Sequence, residues 1–331
     1  MMNTSKKPDF NIQPGEVIQG KWHRRSYKII KQLGYGATGV VYLAQYNRKF
    51  VALKLSENCM AITSEVNVLK SLSQVQGSSL GPSLLDVDDW VVPGKRETTP
   101  FYVMEYVKGR ELLEFIQLRG SEWIVVLTIQ LLSELDKLHK TGWVFGDLKP
   151  DNLLVSGPPP CIRWFDVGGT TRIGRSIKEY TEYYDRGYWG LGTRKAEPSY
   201  DLFAVAMIFI ELAYGSQCKK DGQGILQLEE RIRRHPFLTK YRHVLIRALE
   251  GKYRSAEEMK AELMKPLNQL SARTTRKPPE KKATKAKKPP TTMAQTTVVT
   301  RKSKGIYETA FITILLFAFY FLYLYFQNPI Q

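Results

Sequence analysis

A glycine-rich stretch, GYGATGVVY, constrains the fold of this chain more than any other feature, because of what lies on either side of it. The flanking stretches SYKIIKQLG and VVYLAQY are typical of strands, and Gly34, Gly36 and Gly39 lie in the turn between them. Such spacing lets a backbone approach an anionic group closely, although a plain strand turn that needs positive φ is equally consistent with it. Since a strand and not a helix follows, a dinucleotide-binding fold is disfavoured.

A lysine lies inside the next predicted strand, FVALKL. Lys54 has apolar neighbours there, and a buried ammonium group is costly unless an anion meets it. Glu65 follows in AITSEVNVLKSL, whose apolar residues fall mostly on one face of a helix. Each residue also has an ordinary interpretation. The Lys54 amine could reach solvent at a strand edge, and Glu65 could be a solvated helix residue. A Lys54–Glu65 pair that points the amine at phosphate groups explains both.

The loop FGDLKPDN, residues 145–152, brings together side chains suited to a nucleotide and its metal. Asp147 can accept a hydroxyl proton, Lys149 can neutralise a transferring phosphoryl group, and Asn152 can hold a metal ion. Downstream, IRWFDVGG supplies a further metal-binding carboxylate, Asp166. Any one of these is unremarkable in a polar loop, but their order along the chain indicates phosphoryl-transfer chemistry.

Taken in order, these motifs resemble the eukaryotic-type (Hanks-type) Ser/Thr protein kinases over residues 27–264. Within that family the chain is most similar to the small membrane-tethered kinases of spore-forming bacilli. The resemblance implies an α+β, bilobal protein-kinase fold. A β-rich N-lobe with the hinge is expected over residues 26–107, a helical C-lobe over 108–267, and an N-terminal extension over 1–25.

The resemblance implies a non-specific serine/threonine protein kinase (EC 2.7.11.1) that uses ATP and Mg²⁺ (or Mn²⁺) on protein substrates, itself in trans included. Asp147 and Lys149 are then catalytic, and Asn152 and Asp166 hold the metal. His139, just before the loop, is structural in this reading. The residues implied to bind ATP are Leu33, Gly34, Gly36, Gly39, Val41, Lys54, Glu65, Glu105 and Val107.

The segment after Asp166 also resembles the family's activation segment. Ala196-Glu197-Pro198 looks like its end, and Arg254 resembles the late Arg that pairs with the Glu of that segment, here Glu197. Because the central helix is expected to start at Leu202, the connection is short, and an abbreviated substrate-docking surface is expected.

Two positions depart from the family, since most enzymes with this loop have His and Arg where this chain has Phe145 and Gly146. Without that Arg, the loop lacks the usual clasp for a phosphate on the activation segment, although Arg172 or Arg175 could substitute. We therefore expect activity not to require phosphorylation of that segment strictly. The candidate acceptor sites are Thr170, Thr171, Thr181 and Thr193.

Two other functions stay open. Aminoglycoside and related small-molecule phosphotransferases share the architecture and put Gly before the catalytic Asp, as Gly146 does here, but they lack the full glycine-loop, hinge and Ala-Glu-Pro series. A pseudokinase that serves as a membrane-tethered binding module is disfavoured, because the phosphate and metal residues are all present. Those residues are Lys54, Glu65, Asp147, Asn152 and Asp166.

The last part of the chain has a different composition. Residues 273–304 carry 11 Lys and Arg and one acid, so most of the net charge of +17 lies there. Prolines are frequent, and no apolar face is present, which predicts a disordered basic juxtamembrane linker over residues 268–305. Such a segment suits double-stranded DNA, bound without sequence preference, or anionic lipid.

An apolar stretch follows the basic linker. Residues 310–326 are 17 uncharged residues, which as a helix would extend about 25 Å. A buried core helix is the alternative, but a transmembrane helix over residues 306–327 is favoured, with a short extracytoplasmic tail over 328–331. Because Lys and Arg stay on the cytoplasmic side, we expect a single-pass protein of the cell membrane with its catalytic domain in the cytoplasm.

Overall fold

The computed structural model of the chain describes residues 10, 12–36, 38–73, 81–94 and 97–274, without the side chains of 267–274. The chain divides into two compact units, residues 1–277 and 278–331, and the second lies outside the described residues. The predicted span over 306–327, its tail and residues 275–305 of the predicted linker lie outside the described residues. Residues 268–274, predicted as the start of the disordered linker, instead belong to a helix, Ala256–Thr274, so that start was wrong. Within the part of the chain that is described, no helix combines the length and apolar character needed to cross a bilayer.

The first lobe is a sheet with one helix against it. Its elements are β1 (Val17–Gln19), β2 (Ser26–Gly36), β3 (Gly39–Tyr46), β4 (Lys49–Leu55), α1 (Cys59–Ser73), β5 (Leu84–Val91) and β6 (Thr98–Glu105). The strands pair antiparallel in the order β1-β2-β3-β4-β6-β5. A further bridge joins Gly20 to Trp90, so the chain after β1 curls back onto the opposite edge strand, β5.

The first lobe begins earlier than the expected boundary at residue 26, so that boundary was wrong. Ile18 of β1 is fully buried and lies opposite Tyr27 of β2. The amides of Trp22 and His23 then donate to the two carboxylate oxygens of Asp88 at 2.9 and 2.7 Å. A three-residue strand is too short for its alternation to be recognised in the sequence.

Alternation along β4 sorts its side chains between two environments. Val51 and Leu53 enter the apolar cluster inside the curled sheet, whereas Ala52 belongs to the cluster on the other face. Because successive strand residues point to opposite faces, Lys54 shares the side of Ala52. Tyr102 of β6, opposite Lys54 in register, lies on this side too.

Helix α1 packs its apolar face against that same side of the sheet. Ile62, Val66 and Leu69 are buried there, and burying each such side chain stabilises the fold by about 1.5–3 kcal/mol. The predicted amphipathic helix is confirmed. Its packing carries the buried Glu65 toward Lys54.

The second lobe is mainly helical. Its elements are β7 (Arg110–Glu111), α2 (Leu112–Arg119), α3 (Glu122–Lys140), β8 (Trp143–Val144), β9 (Leu153–Ser156), β10 (Cys161–Trp164), β11 (Thr171–Arg172), α4 (Arg186–Trp189), α5 (Pro198–Tyr214), α6 (Ile225–Arg234), α7 (Pro236–Thr239), α8 (Arg242–Leu249) and α9 (Ala256–Thr274). Every residue of α5 from Tyr200 to Leu212 is buried, which is typical of a central core helix. The two lobes confirm the α+β, two-lobed prediction.

Candidate active site

A cleft of about 490 Å³ brings residues of both lobes together, and its size is that of a small-molecule site. Those of the predicted site residues that line it are Leu33, Gly34, Gly36, Gly39, Val41, Lys54, Glu105, Val107 and Asp166. Tyr102, Leu154 and Phe165 line it as well, and sequence reasoning missed them. Strand alternation could have identified Tyr102 from the sequence. It lies two residues before Met104, which also lines the cleft, and residues two apart in a strand point to the same side.

Lys54 and Glu65 form a buried ion pair at this cleft. Lys54 Nζ lies 2.7 and 2.8 Å from the two carboxylate oxygens of Glu65, and both residues are buried. Tyr102 donates its hydroxyl to Glu65 Oε2 at 2.7 Å. Burial and the adjacent Glu65 carboxylate raise the pKa of Tyr102 well above its ordinary value, so the hydroxyl stays a donor. A buried pair held from two sides keeps the ammonium group in one position.

The glycine-rich turn needs a glycine for close packing at one position. Gly39 has φ +142°, and a Cβ there would lie 2.2 Å from the carbonyl oxygen of Leu55. Gly34 and Gly36 have open space around them, so steric exclusion does not explain them. Thr38 Oγ1 accepts from Lys54 Nζ at 3.0 Å, which links the turn to the ion pair.

The catalytic loop is held by its main chain, and Asp201 of α5 is the residue that holds it. The amides of Phe145 and Gly146 donate to the two oxygens of Asp201 at 2.8 and 2.9 Å. His139 Nε2 lies 2.9 Å from Asp201 as well and is buried, in agreement with a structural role. The Phe145 ring packs on Trp164 with centroids 5.0 Å apart.

Gly146 is in a backbone conformation that disfavours a side chain. Its φ is +83°, and a Cβ would lie 2.6 Å from the carbonyl oxygen of Gly169. The backbone conformation at this position therefore favours glycine over the Arg that is usual in the family. The loop keeps its shape through main-chain bonds and does not need a polar side chain at position 146.

Asp147, Lys149 and Thr181 meet in one hydrogen-bonded group. Asp147 Oδ2 lies 2.6 Å from Lys149 Nζ, and Thr181 Oγ1 donates to Asp147 Oδ1 at 3.1 Å while it accepts from Lys149 Nζ at 3.1 Å. Thr181 was considered only as an acceptor for phosphate, and its contact with Asp147 was missed. A hydroxyl at this carboxylate occupies the position that a general base requires of its substrate.

Asn152 and Asp166 are joined through the backbone. Phe165 N donates to the carbonyl of Asn152 at 3.3 Å, and Asp166 Oδ1 accepts from Gly168 N at 2.9 Å. Asn152 Nδ2 donates to the carbonyl of Asp147 at 2.8 Å. The atom that Asn152 can offer a metal is therefore Oδ1. An amide oxygen and a carboxylate are oxygen donors that fit Mg²⁺.

Glu179 brings a third carboxyl to the electrostatics of this site. Partial burial of the carboxyl, followed by the negative charges of Asp166 and Asp147, raises the pKa of Glu179 above its ordinary value. The residue as a whole is exposed, so solvent moderates the effect. The sequence offered no motif that would have singled Glu179 out.

Glu105, predicted to contact ATP, has its side chain engaged elsewhere. Its carboxylate pairs with Arg163 Nη2 at 3.0 Å, and its amide donates to the carbonyl of Ser83 at 2.8 Å. A nucleotide contact from this residue would come from its main-chain carbonyl. The contacts of all the predicted ATP-binding residues with the nucleotide stay predictions.

The expected pair between Arg254 and Glu197 is wrong. Glu197 Oε1 pairs with Arg186 Nη2 at 2.7 Å, and Arg186 is buried. Arg254 instead donates its amide to Glu258 Oε2 at 3.0 Å, at the start of α9. Arg186 prevails because it lies in the same segment as Glu197 and also donates to Ser199 Oγ at 2.8 Å.

The end of the activation segment also differs from the expectation. Pro198 is the first residue of α5, so Ala196-Glu197-Pro198 leads directly into the central helix and the separate short connection to Leu202 does not exist. Proline suits this position, because the first helical amide needs no partner within the helix. Between Thr181 and α5 the chain forms a 3₁₀ turn, Glu182–Tyr184, and the short helix α4.

Comparisons with known proteins agree with this geometry. A family model described as "Protein kinase domain" matches residues 27–291. The chain is 49% identical over 326 residues to Serine/threonine-protein kinase YabT of Bacillus subtilis, with 96% of each chain covered.

Two further relatives are more distant. Cyclin-dependent kinase G1 of Arabidopsis thaliana is 26% identical over 226 residues, which cover 61% of this chain and 36% of that protein. Serine/threonine-protein kinase ArnS of Sulfolobus acidocaldarius is 26% identical over 245 residues, 62% of this chain and 38% of that protein. The match therefore spans little more than a third of each of these two relatives.

Proposed function

This chain belongs to the protein kinase family, and from that premise we propose that it acts as a membrane-tethered kinase that phosphorylates other proteins and further copies of itself. It is a Ser/Thr protein kinase (EC 2.7.11.1) that uses ATP and Mg²⁺ (or Mn²⁺). The alternative of a small-molecule phosphotransferase is disfavoured by this family membership. The alternative of a pseudokinase is disfavoured because the phosphate and metal residues are all present, namely Lys54, Glu65, Asp147, Asn152 and Asp166. The observation that carries the proposal is the Asp147–Lys149–Thr181 group beside the Lys54–Glu65 cleft.

We assign the roles of the residues from their positions. Lys54, held by Glu65, is oriented toward the phosphates of ATP in the cleft. Asp147 accepts the proton of the substrate hydroxyl, and Lys149 offsets negative charge that develops at the phosphoryl group. Asn152 and Asp166 would hold the metal, which when bound neutralises phosphate charge.

The assigned role of Asp147 is tested by Asp147→Asn. We expect the phosphorylation rate to fall by two to four orders of magnitude, as on loss of a general base, roughly 10²–10⁴-fold, while ATP affinity changes little. Asp151→Asn, an exposed aspartate in the same loop, is the matched control. Radiolabel transfer measures the rate, and a fluorescent ATP analogue measures binding. Full activity of Asp147→Asn would refute the role.

Autophosphorylation is proposed to occur in trans. Thr181 of the same chain is hydrogen-bonded to Asp147, so an acceptor hydroxyl from any chain has to displace it. Mixing active protein with a tagged Asp147→Asn copy tests this directly. Label on the inactive copy supports the proposal, whereas label confined to the active chain shows transfer within one molecule.

Membrane tethering is proposed from the sequence of residues 306–327 and the basic stretch before them. The cytoplasmic side would hold the kinase domain, since Lys and Arg stay on that side. Cells that express the full chain should retain it in the membrane fraction after a salt or carbonate wash. Protein with residues 306–331 removed should appear in the soluble fraction, and equal membrane retention of both proteins would sink the idea.

The basic tail is proposed to bind double-stranded DNA and gather several copies on one duplex, which promotes their phosphorylation of one another. The support is its net charge of +10 over residues 273–304 without aromatic side chains, so backbone phosphates are its suitable target. Lys and Arg beside a predicted span also suit anionic lipid, at about 1 kcal/mol each, and lipid binding is the competing outcome.

The DNA proposal is tested with two soluble proteins, one ending at residue 304 and one at Thr274, since α9 extends to Thr274. We expect the longer protein alone to bind duplex DNA, with an affinity that falls with salt at a log–log slope of about −0.9 per phosphate contacted. DNA should also raise its autophosphorylation rate. Equal binding by both proteins, or binding only to anionic vesicles, would contradict this function.

A further inference from the structure

A small cavity lies between α3 and the strand pair β9–β10. Its volume is about 10 Å³, at the lower limit of the about 10–15 Å³ that one water molecule needs. Three of its lining side chains are apolar and buried, and the other three carry nitrogen or oxygen. The apolar ones are Leu131, Leu153 and Ile162, and the polar ones are Glu134, Arg163 and Trp164.

Each polar side chain at this cavity has a buried atom that is left over from its other contacts. Trp164 Nε1, Arg163 Nε and Glu134 Oε2 have no hydrogen-bond partner among the residues that the structure describes. Trp164 as a whole is only 3% exposed, so its N–H does not reach solvent. A buried polar atom without a partner is costly, and three of them around one cavity require an explanation.

The guanidinium group of Arg163 is held at the cavity by its other two nitrogens. Nη1 and Nη2 donate to the two carboxylate oxygens of Glu105 at 3.2 and 3.0 Å, and Nη2 also donates to the carbonyl of Gly81 at 3.2 Å. The indole of Trp164 approaches the same backbone position, since a Cβ added to Gly81 would lie 3.3 Å from Trp164 Nε1. The two N–H groups therefore come together from neighbouring residues of β10.

Helix α3 brings the carboxylate to the same place. The side chain of Gln130 accepts from Ile162 N at 2.9 Å and donates to the carbonyl of Pro160 at 3.2 Å, which fixes α3 against β10. Glu134 follows four residues later, so it lies on the same face of the helix. Its Oε1 accepts from Lys137 Nζ at 2.8 Å, and Oε2 is the oxygen left over.

These three atoms define the chemistry of a ligand in the cavity. It must accept from two N–H groups and donate to a carboxylate oxygen. A metal cation does not fit, because two of the three atoms are donors and Arg163 carries a positive charge. A halide does not fit either, because it has no proton to donate to Glu134. A water molecule accepts and donates at once, and buried waters typically make about three such hydrogen bonds.

We propose that the cavity holds one structural water, bound by Trp164, Arg163 and Glu134, and that this water positions Glu105 at the nucleotide cleft. With Nε bound to water, every nitrogen of the guanidinium group has a partner, so the group keeps one orientation toward Glu105. Glu105 lines the cleft. Arg163 and Glu134 act through it and are positioning residues for ATP. The effect on ATP rests on the proposed placement of ATP in this cleft, whereas the water site does not.

Glu134 is the residue at which the site is tested. Glu134→Ala removes the acceptor oxygen, so the water should be lost. Affinity for ATP should then fall by about two- to tenfold, as on loss of one hydrogen bond, with kcat unchanged. Glu134→Gln keeps a side-chain oxygen and should retain both the water and the affinity. Glu122→Ala, at an exposed glutamate of the same helix, is the matched control and should change neither.

The experiment uses the full chain in detergent with ¹⁵N-labelled tryptophan. The chain has six tryptophans, and Trp164→Phe identifies the indole signal of Trp164 by its loss. A nuclear Overhauser effect between that indole N–H and water, with the sign of a long-lived contact, detects the bound water. A fluorescent ATP analogue measures affinity, and radiolabel transfer to casein as a probe acceptor measures kcat.

The outcomes separate the water site, its positioning role and the proposed function. Bound water at Trp164 that Glu134→Ala abolishes and Glu134→Gln keeps, with parallel changes in ATP affinity, supports the inference. A Trp164 indole without bound water overturns the site. Equal ATP affinity in all variants overturns the positioning role, and so does an equal loss in Glu134→Gln and Glu134→Ala, which would assign the effect to the charge pair with Lys137. A chain that holds the water but phosphorylates no acceptor counts against the proposed function and leaves the site intact.

Discussion

At the scale of single residues, Phe145 and Gly146 show how a catalytic loop keeps its shape with unusual side chains. The loop is fixed by hydrogen bonds from their two backbone amides to Asp201. The Phe145 ring packs against Trp164. These main-chain hydrogen bonds hold the loop beside Asp147 without a His or Arg side chain, although the conformation at position 146 itself favours glycine. We expect the loop to keep its chemistry and to depend less on phosphorylation of the activation segment.

Restoring the family's arginine is expected to damage this enzyme. In Gly146→Arg the Cβ would meet the carbonyl of Gly169 in a backbone with φ +83°, which should cost about 1–3 kcal/mol of stability. Gly146→Ala is the matched control, because it adds the same Cβ without the charge. Urea unfolding should show similar losses for both variants. A stable Gly146→Arg enzyme that phosphorylation activates would contradict this account.

The Arg186–Glu197 pair predicts a pH dependence of stability. The hydrogen bond from Arg186 lowers the pKa of Glu197 below its ordinary value of 4.5. A carboxyl whose pKa is depressed in the folded state stabilises above its unfolded pKa, and that stability is lost as pH falls through the folded value. Glu197→Gln should therefore cost about 1 kcal/mol at pH 7, a modest value because the carboxylate is partly exposed.

The same difference should vanish on acidification. As pH falls below the ordinary pKa of 4.5 and through the depressed pKa of Glu197, the variant and the unmodified protein should converge in free energy of unfolding, since the carboxyl of Glu197 becomes protonated. Glu57→Gln, at an exposed glutamate, should show no such convergence. A stability difference for Glu197→Gln that is constant from pH 7 to pH 3 would show that charge is not its cause.

At the scale of elements, the cleft depends on how strands and α1 present their faces. Alternation in β4 sends Val51 and Leu53 inside the curled sheet and Lys54 to the cleft. The apolar face of α1 then places Glu65 against Lys54. One ion pair thus needs a strand and a helix in their correct orientations.

Strand β1 provides a prediction at this scale. Ile18→Ala should destabilise the protein by about 2–5 kcal/mol, because Ile18 is fully buried. Val17→Ala in the same strand should change stability by no more than about 0.5 kcal/mol, because Val17 is 55% exposed. Urea denaturation measures both. Equal effects would return residues 17–25 to an extension outside the lobe.

At the scale of the whole kinase domain, one continuous apolar core links the lobes. It runs from the α1 side of the sheet, with Ile62 and Tyr102, to α3 and α5, with Leu131 and Phe209. The nucleotide cleft opens beside this core and takes residues from both lobes. A ligand held there makes contacts with both halves, so binding it stabilises the domain as a unit.

Nucleotide should therefore raise the melting temperature of the domain. At 100 times its Kd, ATP with Mg²⁺ should stabilise by about 2.7 kcal/mol, or roughly 5 to 10 °C in Tm. Asp166→Asn should lose the increment that Mg²⁺ adds while keeping that of ATP alone, and Asp221→Asn, an exposed aspartate outside the cleft, serves as the control. An undiminished Mg²⁺ increment in Asp166→Asn would remove Asp166 from the metal site.

By itself the sequence determined the architecture and most of the cleft. Short stretches of sequence carry the alternation of the strands, the apolar face of α1 and the order of the motif residues from Lys54 to Asp166. In such stretches, the spacing of side chains indicates the structure directly. Only the tertiary structure decided the partners: Arg186 and not Arg254 for Glu197, Thr181 at Asp147, and β1 on the edge of the sheet. Several partners were compatible with the sequence in each case. The choice follows from distances and burial that arise when distant parts of the chain pack together, which no local pattern records.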